Sequence, residues 1–166
     1  MGQSTIRPAM PSDCECLSRL RCTYVADRYQ GFLAPELLAM NQPSRYLPRL
    51  MQVAEQHKLC LDILEMGDRI CGYILYGPDQ EAEGWGLIVE TVCDADAETH
   101  QLLIRYALHR LSVMGLPRVH VWTLHDNFRA RFLYEHSGFR RDGTQQVTRI
   151  GQDEIYRVRY QYCPPA

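Results

Sequence analysis

The side chains of this sequence that could do chemistry are seven cysteines, six histidines and twenty carboxylates. Their spacing narrows that chemistry. The cysteines (Cys14, Cys16, Cys22, Cys60, Cys71, Cys93 and Cys163) are odd in number and contain no CxxC pair. Cys14-x-Cys16 with Cys22 lacks a histidine pair at zinc-finger spacing, so free thiols packed as small hydrophobes are expected. No local pattern singles out one cysteine as a nucleophile. The histidines show neither HExxH nor an i,i+4 pairing with a carboxylate, so no metal is assigned. The carboxylates are uneven. Between Ile70 and Ile104 stand Asp79, Glu81, Glu83, Glu90, Asp94, Asp96 and Glu98, with no Lys or Arg among them. Glu90 lies two residues before Val92, which puts both on one face of a strand. Among apolar neighbours such a carboxyl would suit proton transfer. A carboxylate on a solvated strand face is the alternative.

The elements that must position these groups follow from pattern. Thr5–Arg7 reads as a first strand stopped by Pro8. Ser12 and Asp13 offer N-caps, with Glu15 at capping-box spacing from Ser12. Leu17, Leu20, Tyr24 and Val25 then recur at helical spacing to about Arg28, and Gly31 breaks the helix. A second helix is expected over Glu36–Met40 behind Pro35, and a third over Arg45–His57 on Tyr46, Leu50 and Val53. Leu59–Met66 and Arg69–Tyr76 form a hairpin around Gly67-Asp68. Trp85–Cys93 is another strand. Glu98–Met114 is an amphipathic helix on Leu102, Leu103, Tyr106, Leu108 and Leu111, closed by Gly115 and Pro117. Arg118–Leu124 is a buried strand, Asn127–His136 a helix ended by Gly138, and Val147–Ile150 and Glu154–Tyr162 two late strands. The order is β-α-α(α)-β-β-β-α-β-α-β-β, within one expected domain spanning 1–166.

Composition bounds the class. The chain has 166 residues, 46% hydrophobic and 23% charged, with a net charge of −2. That is a globular mix, and it argues against bulk nucleic acid or an anionic membrane as the main partner. No apolar run nears a membrane span, and the N-terminal residues carry no apolar signal region, so a cytoplasmic protein is expected. Seventeen of the eighteen basic residues are Arg; the exception is Lys58.

The element order resembles one family, and the residues agree. Asn127-Phe-Arg-Ala130-Arg-Phe-Leu-Tyr134-Glu-His-Ser-Gly138-Phe139 fills every fixed position of the fourth-helix motif N-x-x-A-x-x-F/L-Y-E-x-x-G-F of GNAT N-acetyltransferases. Ile6-Arg7-Pro8-Ala9 with Asp13 is similar to that family's start, and Arg28-Tyr-Gln-Gly-Phe-Leu33 resembles its Y-R-G-x-L turn. The resemblance implies an α/β (α+β) fold: a mixed, mostly antiparallel sheet of about seven strands flanked by helices. Trp85–Cys93 and Arg118–Leu124 would be its splayed parallel pair. Acetyl-CoA would lie in the gap as cosubstrate, its pantetheine along Val92 and Cys93 and its pyrophosphate on the amides opening the next helix, near Ala97 and Thr99. Asn127, Ala130 and Arg131 would complete the cofactor site. Tyr134 would be the general acid, its phenol (pKa about 10) serving the leaving thiolate, or else a core tyrosine. Glu90 would be the base, and Asn127 equally a helix cap. Tyr29 and Phe32 would line the acceptor pocket or simply pack a turn. The acceptor would be the amine of a small molecule or a protein, and homodimers are common in the resembled family.

One segment departs from that pattern. The family's pyrophosphate loop reads R/Q-x-x-G-x-G/A, and here Asp94, Ala97 and Thr99 occupy its fixed positions. Both glycines are missing and the basic position is acidic. Two like charges ~4 Å apart at an effective dielectric of ~20 repel by about 4 kcal/mol. Micromolar affinity is worth about −8 kcal/mol. Asp94, Asp96 and Glu98 therefore threaten CoA binding, although acids at a helix N-terminus also stabilise it. Arg129, Arg131 and Arg105 are candidate compensating cations. Two classes of function stand: an acetyl-CoA-dependent N-acetyltransferase, or a GNAT-fold protein that has lost CoA and acts as a binding or regulatory module. Capping of the loop amides by their own side chains would favour the second.

Overall fold

The structure, a computed structural model, describes residues 3–29, 31 and 33–166, Ile150 by its backbone only. Among the described residues seven strands and five α-helices follow one another: β1 Ser4–Pro8, α1 Cys14–Arg28, α2 Pro35–Ala39, α3 Pro43–Gln56, β2 Cys60–Met66, β3 Arg69–Pro78, β4 Gly86–Cys93, α4 Ala97–Val113, β5 Val119–Leu124, α5 Phe128–His136, β6 Arg140–Ile150 and β7 Asp153–Tyr162. They form one sheet in the order β1-β2-β3-β4-β5-β7-β6. Only β4 and β5 run parallel; the other neighbours are antiparallel. None of the described helices is long and apolar enough to cross a membrane.

Helices cover both faces of the sheet. On one face α4 and α5 pack Leu103, Ile104, Ala107, Leu111, Leu133 and Tyr134 onto Ile74, Ile88, Val121 and Tyr160. On the other, α1 and α3 pack Leu17, Leu50 and Ala54 onto Ile63, Tyr73, Leu75 and Val92. Both clusters are made at helical spacing against alternate strand residues, which is what the apolar periodicity encodes. One residue departs from its pattern: Leu102 is 42% exposed, and Ile104 with Ala107 takes its place in the core.

Three boundaries differ from the sequence reading for identifiable reasons. Asp13 precedes α1 but does not cap it with its side chain. Its carboxylate accepts both terminal nitrogens of Arg7 (3.0 and 3.1 Å) and the Met10 N–H instead, and Ser12 sits in a single 3-10 turn. α3 starts at Pro43, whose missing N–H costs nothing in a first turn. β6 starts at Arg140, well before Val147, because Asp142 and Thr144 carry the strand through a register shift. There Asp142 accepts the Thr144 N–H at 2.8 Å and Arg159 Nε at 2.6 Å.

β4 carries the feature that opens the site. Leu75 pairs with Glu90 but Tyr76 pairs with Ile88, so Val89 is an extra residue, a β-bulge. A bulge bends and over-twists its strand. Pairing between β4 and β5 accordingly stops after Gly86–Val119, Leu87–His120 and Ile88–Val121, and the strands part beyond Ile88. The bulge also shifts side-chain alternation. Ile88 and Cys93 face α4, while Val92 faces α1 and α3.

Candidate active site

Past Ile88, the β5-facing backbone edge of β4 has no strand partner. Such an edge can pair with an extended ligand. Beside it lies a cleft of about 360 Å³ walled by Tyr24 and Arg28 of α1, Ala97 and His100 of α4, and Arg129 and Ala130 of α5. Phe128 and Phe132, 67% and 57% exposed, form its outer lip. Arg28 and Arg129 form no ion pair among the described residues.

The opening turn of α4 is part self-capped and part open. Asp96 is its N-cap and accepts the Thr99 N–H at 2.8 Å. Hydrogen bonds from the Thr99 hydroxyl and N–H hold the Asp96 carboxyl below its usual range. Ala97 and Glu98, the other two first-turn amides, have no hydrogen-bond acceptor among the described residues. Asp94 is neutralised: Arg69 Nη1 donates to it at 2.6 Å. Arg69 stands one residue before the cation-free stretch, so the acidic surplus read from the sequence is smaller in space than along the chain. The loop's Gly-poor composition is matched by Ala97 on the cleft wall, where only a methyl group intrudes.

Behind the cleft His100 ties α4 to β4. Thr91 gives its hydroxyl proton to the Tyr73 carbonyl (3.2 Å), which leaves His100 Nε2–H to donate to Thr91 Oγ at 3.0 Å. Burial, with Arg28 nearby, pushes the His100 pKa down to about 4. The edge of Tyr24 meets the His100 ring with centroids 6.3 Å apart.

Tyr134 sits on α5, 7% exposed, its ring against Phe139 (5.8 Å) and Tyr160 (6.4 Å). Its hydroxyl forms no hydrogen bond among the described residues. Burial, then Tyr24, Tyr29 and Glu90, raises its pKa well above that of a free phenol. Tyr29 is half-buried and pushed up to about 12, with Tyr24, Arg21, Glu90 and Tyr46 close enough to act on it. Tyr134, Tyr29 and Glu90 thus share one electrostatic neighbourhood at the parting of β4 and β5.

Glu90 is not among apolar neighbours, as the sequence reading supposed. Arg21 of α1 pairs with its Oε1, and the Tyr73 hydroxyl donates to the same oxygen. Oε2 has no partner among the described residues. Glu90 lines a second pocket of about 250 Å³, between α1, α3 and β4. Tyr29 is close enough to Glu90 to feel its charge, and Phe32 lies outside the described residues.

The remaining cofactor candidates fall on either side of the cleft. Val92 is buried toward α1 and α3. Cys93 is buried toward α4, and burial pushes its thiol up to about 11. Asn127 Oδ1 accepts the Ala130 N–H at 3.1 Å, so it caps α5. Arg131 turns away from the cleft: Nε donates to the Tyr160 hydroxyl (3.1 Å) and Nη1 to the His125 carbonyl (3.0 Å). Arg129 is the α5 guanidinium on the wall, and Arg105 lines a separate groove with Pro117 and Tyr162. Sequence reasoning missed Arg28, His100, Phe128 and Phe132. Only the position of Arg28 and His100 at the ends of two helices flanking the gap was a usable signal for them.

No protein-family model matches the sequence, and no curated protein matches it. Solved structures do. A GCN5-related N-acetyltransferase from Rhodopseudomonas palustris superposes with a TM-score of 0.77 at 13% identity, over 99% of this chain and 98% of that one. The PaiA N-acetyltransferase from Thermoplasma acidophilum, in complex with coenzyme A, gives 0.73 at 13% identity over 93% and 98%. A spermidine N-acetyltransferase SpeG chimera from Vibrio cholerae and hSSAT gives 0.70 at 16% identity over 97% and 95%. The fold is that of the GNAT acetyltransferases, from end to end of the chain.

Proposed function

We propose that this protein is an acyl-CoA-dependent N-acetyltransferase acting on the primary amine of a small molecule or a protein. The observation that carries this reading is the cleft beside the parting of β4 and β5, which, among the described residues, combines a β4 edge without a strand partner, two guanidiniums without an ion pair and, on the adjoining helix α5, a buried phenol without a hydrogen bond. A structural neighbour that holds coenzyme A supports it.

The residues present suit the cosubstrate. Ala97 and Glu98 N–H groups, at the positive end of α4, would hold the pyrophosphate. Arg28 and Arg129 would meet the remaining phosphate charge, and the β4 edge beyond Ile88 would pair with the pantetheine amides. When bound, acetyl-CoA supplies an activated acetyl thioester: nitrogen gains the acetyl group, the C–S bond breaks, and one amine proton must end on sulfur. Tyr134 Oη, kept protonated by burial, gives its own proton to the sulfur, and the second proton to leave the nitrogen restores the phenol. Glu90 Oε2 holds the incoming ammonium and accepts its proton, while Arg21 and Tyr73 fix the carboxylate through Oε1. Tyr29 shields the neighbourhood from water.

A second reading, a GNAT-fold binding module without CoA, is favoured by one observation: the Asp96 carboxylate already occupies the Thr99 amide that a phosphate would use. The test is acetyl-CoA-dependent thiol release over a panel of amines, with Tyr134→Phe as control. Turnover that falls about a hundredfold in the variant supports the enzyme. No turnover with any amine, together with no CoA binding, supports the module.

A further inference from the structure

The pocket on the α1–α3 side of β4 has a charge the chain as a whole lacks. The protein is net −2. This pocket is lined by Arg21, Arg45 and Arg49, with Glu90 as its one acid. Arg45 and Arg49 lie one turn apart on α3 and form no ion pair among the described residues. Like charges at that spacing cost helix stability unless an anion sits between them. Arg21 lies over the Tyr46 ring at 4.2 Å and pairs with Glu90 through Nη1. Its Nε is buried with no hydrogen-bond partner among the described residues. A buried guanidinium N–H without an acceptor is costly, and an incoming oxyanion would satisfy it.

We infer that the acceptor is an amine that also carries a carboxylate, a free amino acid in chemical class, with its anion held by Arg45, Arg49 and the Nε edge of Arg21. This rests on the acetyltransferase reading above and adds the substrate class to it. Glu90 Oε2, in the same pocket, takes the ammonium end. Glu90 is also close enough to Tyr134 for its charge to act on the phenol, so this pocket and Tyr134 belong to one neighbourhood. Guanidinium forks match planar carboxylates in two-bond geometry, which favours a carboxylate over a diffuse anion. A cavity of about 250 Å³ suits a ligand of amino-acid size. A polycation such as spermidine, named for one structural neighbour, would meet three guanidiniums of its own sign.

The experiment uses matched ligands on the full chain: the free amino acids, their carboxamides, the corresponding decarboxylated amines, and spermidine. Calorimetry without CoA reads binding, and thiol release with acetyl-CoA reads turnover. The expected result is binding by at least one amino acid, with its carboxamide and decarboxylated amine weaker by about tenfold or more. Arg45→Gln with Arg49→Gln, both exposed and unpaired, is expected to remove that preference and raise KM for the carboxylated amine about tenfold, leaving KM for acetyl-CoA in place. Equal or tighter binding of the decarboxylated amines or spermidine overturns the inference, as does an unchanged preference in the double variant. Failure of the enzyme reading shows separately, as absent CoA binding and absent turnover, because the calorimetric arm needs neither.

Discussion

Lowering the pH from 7 to 5 should destabilise this protein through one residue, His100. Its unfolded imidazole titrates near 6.5, and burial holds the folded one down to about 4. The sign follows from which state takes the proton. Above 6.5 neither state is protonated and the fold keeps its full stability. Below 6.5 the unfolded chain binds a proton that the folded chain refuses, so stability drains as pH falls and levels off once the folded group titrates as well. Linkage between those two values puts the loss at pH 5 at about 2 kcal/mol, and the complete loss at about 3 kcal/mol. For a chain of this size that lowers Tm at pH 5 by about 4–8 °C. The perturbation is His100→Gln, whose amide can still donate to Thr91 Oγ but cannot titrate. Asp13, held low by hydrogen bonds from Arg7, loses its contribution only at more acid pH, outside this window. The assay is thermal melting by circular dichroism at pH 7 and pH 5 on wild type and variant. The other histidines contribute equally to both proteins and cancel in the difference. Wild type should lose about 4–8 °C more than the variant. Equal losses would refute the reasoning, and with it the claim that His100 is a neutral bridge between β4 and α4.

Three further outcomes follow from the same geometry. Tyr134→Phe removes a hydroxyl with no hydrogen bond among the described residues, so Tm should hold within a few degrees while kcat falls about a hundredfold and KM for acetyl-CoA is unmoved; melting and steady-state kinetics check both halves. Asp96→Asn keeps a good N-cap but removes its charge, so calorimetric CoA affinity should rise several-fold at low salt and the gain should shrink at high salt. Asp79→Ala leaves His120, 3% exposed and stacked on Trp85 at 4.0 Å, without its 2.8 Å hydrogen-bond partner; denaturant unfolding should show a loss of about 1–3 kcal/mol, with CoA binding unchanged.

What was legible in the sequence was local. Asn127, Ala130 and Tyr134 fall within one helical turn or two of each other; the helix and its Asn127 cap are legible from the residues themselves, while Tyr134 stands out through the resembled motif. The hairpin at Gly67 reads the same way, through turn chemistry, and α4 begins at Ala97, one residue before the expected Glu98. Contacts between distant segments were not legible. Arg69 neutralises Asp94 across 25 residues, and Arg21 reaches Glu90 from α1, far away along the chain. Nothing in either neighbourhood announces its partner, so a strip of acids read as more repulsive than it is. The bulge at Val89 left no mark either, since Val is a normal strand residue. It alone decides which side of β4 shows Glu90. β6 was shortened because Arg140–Gln146 are polar, and an edge strand with one solvated face gives little hydrophobic alternation to read. Arg45 and Arg49 give no signal in the sequence, since exposed Arg on the polar face of an amphipathic helix is ordinary.

Calorimetric titration of the purified protein with acetyl-CoA and with CoA, at low and moderate salt, tests the central claim most directly. The open amides of Ala97 and Glu98, with Arg28 and Arg129 across the cleft, predict micromolar or tighter binding that weakens as salt rises. No heat and no thermal shift at millimolar ligand would contradict the acetyltransferase account.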